Sequence, residues 1–511
     1  MGAELGQPEA RQPGQKTLKP SKDFSTRYSA AKRWRDEVRP SIEEVLSFCC
    51  PGREHDFSNP TKEHDTSVFV SLPEEMATDL AGDLITYFTP AEVRWASYEV
   101  ISEVPIDLAD QVLSLVQDRE DKLFSLIQSS NYNDMAPQWG FEAASHGTPA
   151  IWVEASHIAM PIHCEAVPPH ELLLTPGHRG FLDRFREKAV LASTLKALFD
   201  GTGFDLSDPR IKAKMEKPGA TVKVCWGYWL DWEDPGNPQW ASEVTVDGIR
   251  VSDEKQIIGP MAGSCPLLVG RFNPQTGKPW GRGAGRKALP DMRVLDKMDE
   301  TVLSGLDQSL LNTIIYPSDG ALDLENGIVA GTAIPAGRNF DRNQIYDLSR
   351  NVNVDQGWFA EDRIEDRIRR AFYQDGPRQR GETPPTAAQW LDERRRVQQR
   401  LGKPSAPLWS ELILPMVQRF EYLGVQLGEI PDAITHNGRA ISVTPISPLQ
   451  KAQNQDKVMV TRSNLELAAV TFGESLPQII DMPGTLKNIV RASGDELTVI
   501  AEQNAAPPPA Q

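Results

Sequence analysis

The feature that most limits the fold is a glycine-rich run, Lys278-Pro-Trp-Gly-Arg-Gly-Ala-Gly-Arg-Lys-Ala-Leu-Pro-Asp291, that leads straight into a long amphipathic stretch. Apolar residues recur there at Leu289, Met292, Leu295, Met298, Val302, Leu306, Leu310 and Ile314, in steps that keep one face of a helix apolar. About 28 residues at ~1.5 Å each predict a rod of roughly 40 Å. A second helix is predicted from Gln356 to Tyr373, with Ile364 and Ile368 among its apolar positions, after a small segment rich in Gly, Ile and Val. A rod that returns antiparallel makes a wall, which a lone rod does not.

At 511 residues the chain exceeds one comfortable core, so two to four structural regions are expected. Its 40% hydrophobic and 24% charged residues are ordinary globular values and exclude wholesale disorder, and 12 Trp supply anchors for packing or subunit contacts. The formal net charge of −17 argues against a protein that grips nucleic acid by neutralising phosphates. A negative surface repels a phosphate backbone, which suits loose passage better than reading; plain solubility is the other explanation. The cysteines, Cys49, Cys50, Cys164, Cys225 and Cys265, are odd in number and lack framework spacing, pointing to a reducing compartment. No apolar run approaches the roughly 18 residues that span a bilayer, so no membrane partner is expected. The N-terminus lacks a signal-peptide pattern, and Gly2 lacks the Ser or Thr of a myristoylation site.

Residues 1–20 and 501–511 are poor in core formers and are expected to be mobile. Helices are predicted from Ser21 to Phe48, Pro73 to Phe88 and Asp107 to Ser129. From Thr148 to Gly270 the texture is mainly β, with runs at Ala150–Glu154, Glu171–Thr175, Thr221–Trp229 and Pro266–Gly270. A helix near Leu182–Phe199 is expected to interrupt it, and Asp234–Pro238 reads as a hairpin loop. In the second rod Glu365 to Arg369 and Asp366 to Arg370 have the favourable i,i+4 order; these charges are either a solvated face or an intersubunit seam. Asp375–Pro385 must be a loop. Thr386–Leu401 and Trp409–Val425 read as helices separated by Gly402-Lys-Pro-Ser-Ala-Pro407, and Pro448–Gly494 as several shorter ones with Ser447 as a cap. No internal repeat is visible.

Motifs for chemistry fail one by one. Gly270–Pro279 has the wrong glycine spacing for a phosphate loop and a Pro where Ser or Thr should hold magnesium. Gly281-Arg-Gly-Ala-Gly285 lacks the third glycine of a dinucleotide fingerprint at its proper spacing. Vicinal Cys49 and Cys50, with His55 and His64 downstream, cannot easily both face one tetrahedral metal. His157, His163 and Cys164 come without an HExxH or G-x-S-x-G motif. No carboxylate pair stands out as a general acid and base, so no catalytic residue, metal or cofactor is assigned.

Taken in order, the segments from about 25 to 490 resemble the portal, or head-to-tail connector, family of short-tailed bacteriophages. Ser130-Asn-Tyr132 followed by Gly147-Thr-Pro-Ala-Ile-Trp-Val153 is similar to one family element, and Gly281-Arg-Gly283 through Leu289-Pro-Asp291 to another, with Trp280 at its aromatic position. Thr386-Ala387 with Arg394, Glu411 with Leu414-Pro-Met-Val-Gln-Arg419, and Ile446-Ser-Pro-Leu-Gln-Lys-Ala-Gln453 resemble three more. The chain departs from the pattern at Pro384-Pro385 and Gln389.

The resemblance implies an α+β, mainly helical fold that forms a ring, with a mobile arm over 1–20 and a mobile tail over 501–511. Residues 21–284 and 386–440 would be the wing, 285–314 and 355–374 the stem helices, 315–354 the clip, 375–385 the tunnel loop and 441–500 the crown. It implies a dodecamer at one capsid vertex of the virion, assembled in the host cytoplasm, and no enzyme. Double-stranded DNA would pass non-specifically during packaging and ejection. The other partners would be capsid protein, a separate ATP-driven terminase motor and then a head-tail adaptor or tail protein. Arg378, Gln379 and Arg380 form the basic cluster of the tunnel loop and would face the channel. Leu295, Val302, Leu306, Leu310, Ile364 and Ile368 would pack the stem. The alternative is a soluble metal-dependent enzyme with its site near His157 and His163.

Overall fold

The computed structural model describes residues 19–52, 68–91, 94–95, 97–100, 109–156, 160–310, 314–315, 346–347, 354–374, 400–431, 435–436, 439–440, 443–446, 458–468, 484–486 and 489. The helices are α1 (Lys22–Cys49), α2 (Leu72–Phe88), α3 (Ala109–Ser129), α4 (Tyr132–Ser145), the short α5 (Leu195–Leu198) and α6 (Pro209–Met215), α7 (Ala284–Leu310), α8 (Val354–Ala371) and α9 (Leu414–Gln426). The strands are β1 (Ser97–Val100), β2 (Ala150–Ala155), β3 (Ile162–Ala166), β4 (Leu172–Pro176), β5 (Leu182–Leu191), β6 (Thr221–Asp231), β7 (Gln239–Val246), β8 (Ile249–Arg250), β9 (Gln256–Pro260) and β10 (Leu267–Val269). After α7 come β11 (Ile314–Ile315), β12 (Tyr346–Asp347), β13 (Thr435–His436), β14 (Arg439–Ala440) and β15 (Val443–Ile446). Contacts divide the chain into two units, one of Met1–Asp83, Asp134–Val153 and Cys164–Leu412, the other of Leu84–Asn133, Glu154–His163 and Ile413–Gln511.

The first unit is built on a six-stranded antiparallel sheet in the order β4-β5-β6-β7-β8, with β9 also paired to β7. Its β6 is buried on both faces because alternate side chains serve two cores. Val222, Val224, Trp226, Tyr228 and Leu230 belong to the larger core, which also takes Ile42 and Leu46 of α1. Cys225 and Trp229 belong to the smaller one, covered by Phe24, Tyr28 and Ala31 of the same helix. Gly227 makes that cover possible: a Cβ there would meet Phe24 Cε2 at 2.6 Å and Phe185 Cε1 at 2.7 Å. The two rings instead meet edge to face at 5.5 Å. Helix α1 begins where Ser21 Oγ accepts the Phe24 amide at 3.1 Å, while buried Glu243 accepts the Ser21 amide at 2.8 Å.

Three expectations from sequence are corrected in this unit. Leu182–Leu191 is a strand, not the start of a helix through Phe199; only Leu195–Leu198 is α-helical. Its charged residues are good helix formers, but the sheet supplies their partners: Arg186 donates to Glu171 at 2.8 Å, Lys188 reaches Glu165 at 2.5 Å, and Arg184 lies over the Trp240 ring at 4.9 Å. Gly402–Pro407 is no break, since 400–408 is helical and continues through a π-helical turn at Trp409–Ile413. The widened turn follows Pro404 and Pro407, whose missing donors and rings a regular helix accommodates poorly. Ile314 lies in β11, paired with Asp347, and not on the long helix. The expected Asp234–Pro238 loop does join two strands, β6 and β7.

In the second unit α3 packs on α9, and β1 pairs antiparallel with β15, Ser97 opposite Ile446. Arg119 is buried but satisfied, donating to Glu421 and to the Pro431 carbonyl at 2.6 Å. Tyr132 Oη hydrogen-bonds Thr89 Oγ1 at 3.1 Å. Gly424 lets α9 approach closely, for a Cβ there would lie 2.7 Å from Leu126 Cδ1 and Ile430 Cδ1. Neither β1 nor β15 was marked as a strand by its residues. Helix α4 was equally hidden, because Pro137 and Gly140 lie inside it.

Candidate functional site: an anchored helical hairpin

The glycine-rich entry is a lock of backbone on backbone. The Arg282 amide donates to the Phe272 carbonyl at 2.8 Å, Gly283 to His146 at 3.1 Å, Gly281 to Thr148 Oγ1 at 2.9 Å, and Phe272 to Gly147 at 2.9 Å. Two motifs far apart in sequence, Gly147-Thr148-Pro149 and Gly281-Arg282-Gly283, are thus two sides of one joint. Such closeness excludes side chains: a Cβ on Gly285 would lie 2.7 Å from the Ser145 carbonyl oxygen and 2.9 Å from Val45 Cγ1. Gly147 also takes a φ of +91°, which L side chains rarely adopt. The arrangement differs from either nucleotide loop considered from sequence, because the amides of Arg282 and Gly283 are spent on carbonyls and that of Gly281 on the Thr148 hydroxyl.

From this joint α7 runs along α1. Arg293 forks onto both oxygens of Glu44, Nη2 to Oε2 at 2.5 Å, and Arg286 reaches Ser41 Oγ at 3.2 Å. Burial at Ala284, Ala288, Leu289, Met292 and Leu295 is nearly complete. Helix α8 packs against α7 and runs antiparallel to it. Arg367 meets Asp291 at 3.2 Å, Phe372 and Tyr373 finish the helix near the root, and Tyr373 lies 6.3 Å from Phe272 and 5.4 Å from Lys287 Nζ. At the far end β11 pairs with β12, so the chain leaving α7 and the chain entering α8 are held together.

The outer half differs in charge and in cover. Val302 is half-buried and Leu303 is 48% exposed. Asp299 lies close enough across the helices for its charge to act on Glu361. Burial, with Asp296 and Glu365 nearby, pushes the Asp299 carboxyl up; burial, with Asp299, Glu365 and Asp362, does the same to Glu361. Glu365 is answered by Arg369 at 3.1 Å, as the spacing predicts. The expected pairing of Asp366 with Arg370 does not form: Arg363 and Arg370 are exposed and pair with no acid among the described residues.

Of the residues assigned to the stem, Leu295 and Ile368 are buried, Val302 and Ile364 are half-buried, and the side chains of Leu306 and Leu310 lie outside the described residues. Arg378, Gln379 and Arg380 also lie outside them. Among the described residues no three His, Cys, Asp or Glu side chains come together as a metal site; His163 is half-exposed, Cys164 is buried, and His157, His55 and His64 are not described. Burial raises the Cys49 thiol, which leaves it unreactive in its place against α7. No described helix is long and apolar enough to cross a membrane. Neither the Glu44 to Arg293 fork nor the Tyr373 to Phe272 contact is visible in a local stretch of sequence, since each joins segments far apart, 249 residues for the first.

A family model described as bacteriophage head to tail connecting protein matches residues 21–499. Among solved structures, a chain of a "Virion of native gene transfer agent (GTA) particle" is 12% identical, with 88% of this chain and 95% of that chain covered and a TM-score of 0.34. A chain of a "Neck of empty GTA particle computed with C6 symmetry" is 10% identical, with 76% and 86% covered and a TM-score of 0.33. No curated protein matches.

Proposed function

The chain belongs to the bacteriophage head to tail connecting proteins, and from that premise we propose that it forms a closed ring at one vertex of a phage capsid, the channel through which double-stranded DNA enters and leaves. The ring has twelve copies and a mass of roughly 680 kDa, twelve times 56.7 kDa. The observation that carries this reading is the antiparallel α7–α8 hairpin, locked at its root and thinly covered beyond Leu295. A head-to-tail interface repeated about a closed axis needs two different faces on each subunit, and a projecting hairpin supplies them.

In this role 285–314 and 355–374 are the stem, 315–354 the clip, 375–385 the tunnel loop, 21–284 and 386–440 the wing, and 441–500 the crown. Arg378, Gln379 and Arg380 touch passing DNA transiently. The acid excess of the whole chain, −17, discourages lasting phosphate contact. A terminase motor docks during packaging and supplies ATP hydrolysis; an adaptor or tail protein replaces it. The subunit is assembled in the host cytoplasm and remains at the portal vertex of the virion, in contact with capsid protein. Nothing among the described residues favours the metal-dependent enzyme near His157 and His163.

Native mass spectrometry of the purified full chain tests the ring directly: a single species of roughly 680 kDa is expected, and a monomer at every concentration would refute it. Arg378→Ala with Arg380→Ala should leave the ring intact and lower DNA retention in an assembly assay. Unchanged packaging and retention would remove the tunnel-loop assignment.

A further inference from the structure

The hairpin carries charge that no described residue of its own subunit answers, and the two signs lie on different faces. On α8, Ile368, Ala371 and Phe372 are buried, which fixes the side turned inward. Arg363 and Arg370, a two-turn step apart, stand together on the far side, both exposed, about 10 Å from each other along the axis. The seam between α7 and α8 holds Asp299, one turn beyond buried Leu295, and Glu361, two turns before buried Ile368, and neither is paired with a base among the described residues. One turn beyond Asp299 lies the exposed Leu303; at the other flank Phe69, 47% exposed, donates its amide to Asp296 at 2.8 Å. The seam is therefore acidic with apolar ends, and the opposite face of α8 is basic.

Resting on the ring reading above, we propose that Arg363 and Arg370 of one subunit dock into the Asp299–Glu361 seam of the next copy of this chain, making the hairpin contact an ordered charge interlock around the ring. The occupant is a second copy because the same helix bears the basic face and borders the acidic seam, so each subunit offers both halves. Two unlike halves give the head-to-tail geometry that closure requires. The like charges in the seam keep their full cost in an isolated subunit, and a neighbour's guanidinium groups offset it, a device that favours the assembled state. All groups are near the surface, so the contact weakens with salt.

The full-length chain is compared by native mass spectrometry and sedimentation, at low and high salt, in four forms. The wild type gives a ring. Arg363→Glu with Arg370→Glu loses it, as does Asp299→Lys with Glu361→Lys, while circular dichroism stays unchanged. The chain carrying all four substitutions recovers the ring, because the signs are exchanged and the complementarity restored; this recovery also answers the objection that a double variant merely misfolded. A wild-type ring with double variants that assemble equally well, or a fourfold variant that does not recover, overturns the interlock and leaves the ring reading standing. A wild type that never forms a ring overturns both.

Discussion

The two halves of α7 obey different rules although one helix carries them. Up to Leu295 the inner face of the helix is held closely: glycines touch carbonyls, Ala284, Ala288, Leu289, Met292 and Leu295 are buried while Val294 on the outer face is 48% exposed, and Arg293 forks onto Glu44. From Asp296 onward the inner face itself is less covered, Met298 and Val302 being only half-buried, and acidic groups cluster there. The first half is complete within one subunit. On the proposed ring reading, the second half is a surface that a neighbouring subunit completes, and its apolar positions Met298 and Val302 are only half-buried within the subunit.

Substitutions in the root should break the subunit itself. Gly283→Ala has the largest expected effect, since the new Cβ would lie 2.7 Å from both the Ser145 carbonyl carbon and the Gly147 nitrogen, all backbone. A loss of about 3 kcal/mol is expected in urea unfolding, and a loss below about 0.5 kcal/mol would show that the joint yields. Next comes Leu295→Ala, at 1% exposure, expected to cost about 3 kcal/mol with a spread set by how far the site collapses. Val302→Ala, two turns further, should cost the subunit only about 0.5 kcal/mol yet visibly weaken the ring in sedimentation. Equal losses at Leu295 and Val302 would erase the contrast between the two halves.

The same contrast explains what was legible in the sequence. Helix periodicity announced α1, α2, α3, α7 and α8, because each buries one stripe and leaves the rest in water. The Gly-Arg-Gly and Gly-Thr-Pro motifs were visible as motifs, but their meaning was not, for each is the other's partner across some 130 residues, as the separation of 133 between Gly281 and Thr148 records. Strand β5 misled because Arg184 and Arg186 are buried, at 8% and 2% exposure, only thanks to Trp240 and Trp152 on other strands and Glu171 in the turn before β4. Charged residues that look solvated in a local window become core residues once a sheet surrounds them. The acid seam was hidden for a similar reason: acids and arginines alternate along Glu361–Arg370, and only the antiparallel placement of α7 decides which of them meet like charges.

The smallest expected effect probes that seam most selectively. Asp299 and Glu361 hold their protons to higher pH than their ordinary 3.8 and 4.5. The groups facing them are Asp296 on α7 and Asp362 and Glu365 on α8, while the nearby bases are engaged elsewhere: Arg369 on Glu365, Arg367 on Asp291, Lys297 on Glu300. Because the folded values are raised, the folded hairpin binds more protons than the open chain just above the ordinary range. The contribution of these two groups to stability is thus fully present below about pH 4 and is lost as pH rises through the raised values. In the assembly-deficient Arg363→Glu, Arg370→Glu background, Asp299→Asn should then stabilise the subunit at pH 7 by about 0.3 kcal/mol, the scale of one like-charge helix contact, and flatten thermal melts between pH 4 and pH 7. In the otherwise wild-type ring the same substitution removes a partner for a neighbour's arginine and should weaken assembly. Opposite signs in the two settings are what a surface completed by another subunit requires; the same sign in both would mean that the outer half of α7 is as self-contained as its root.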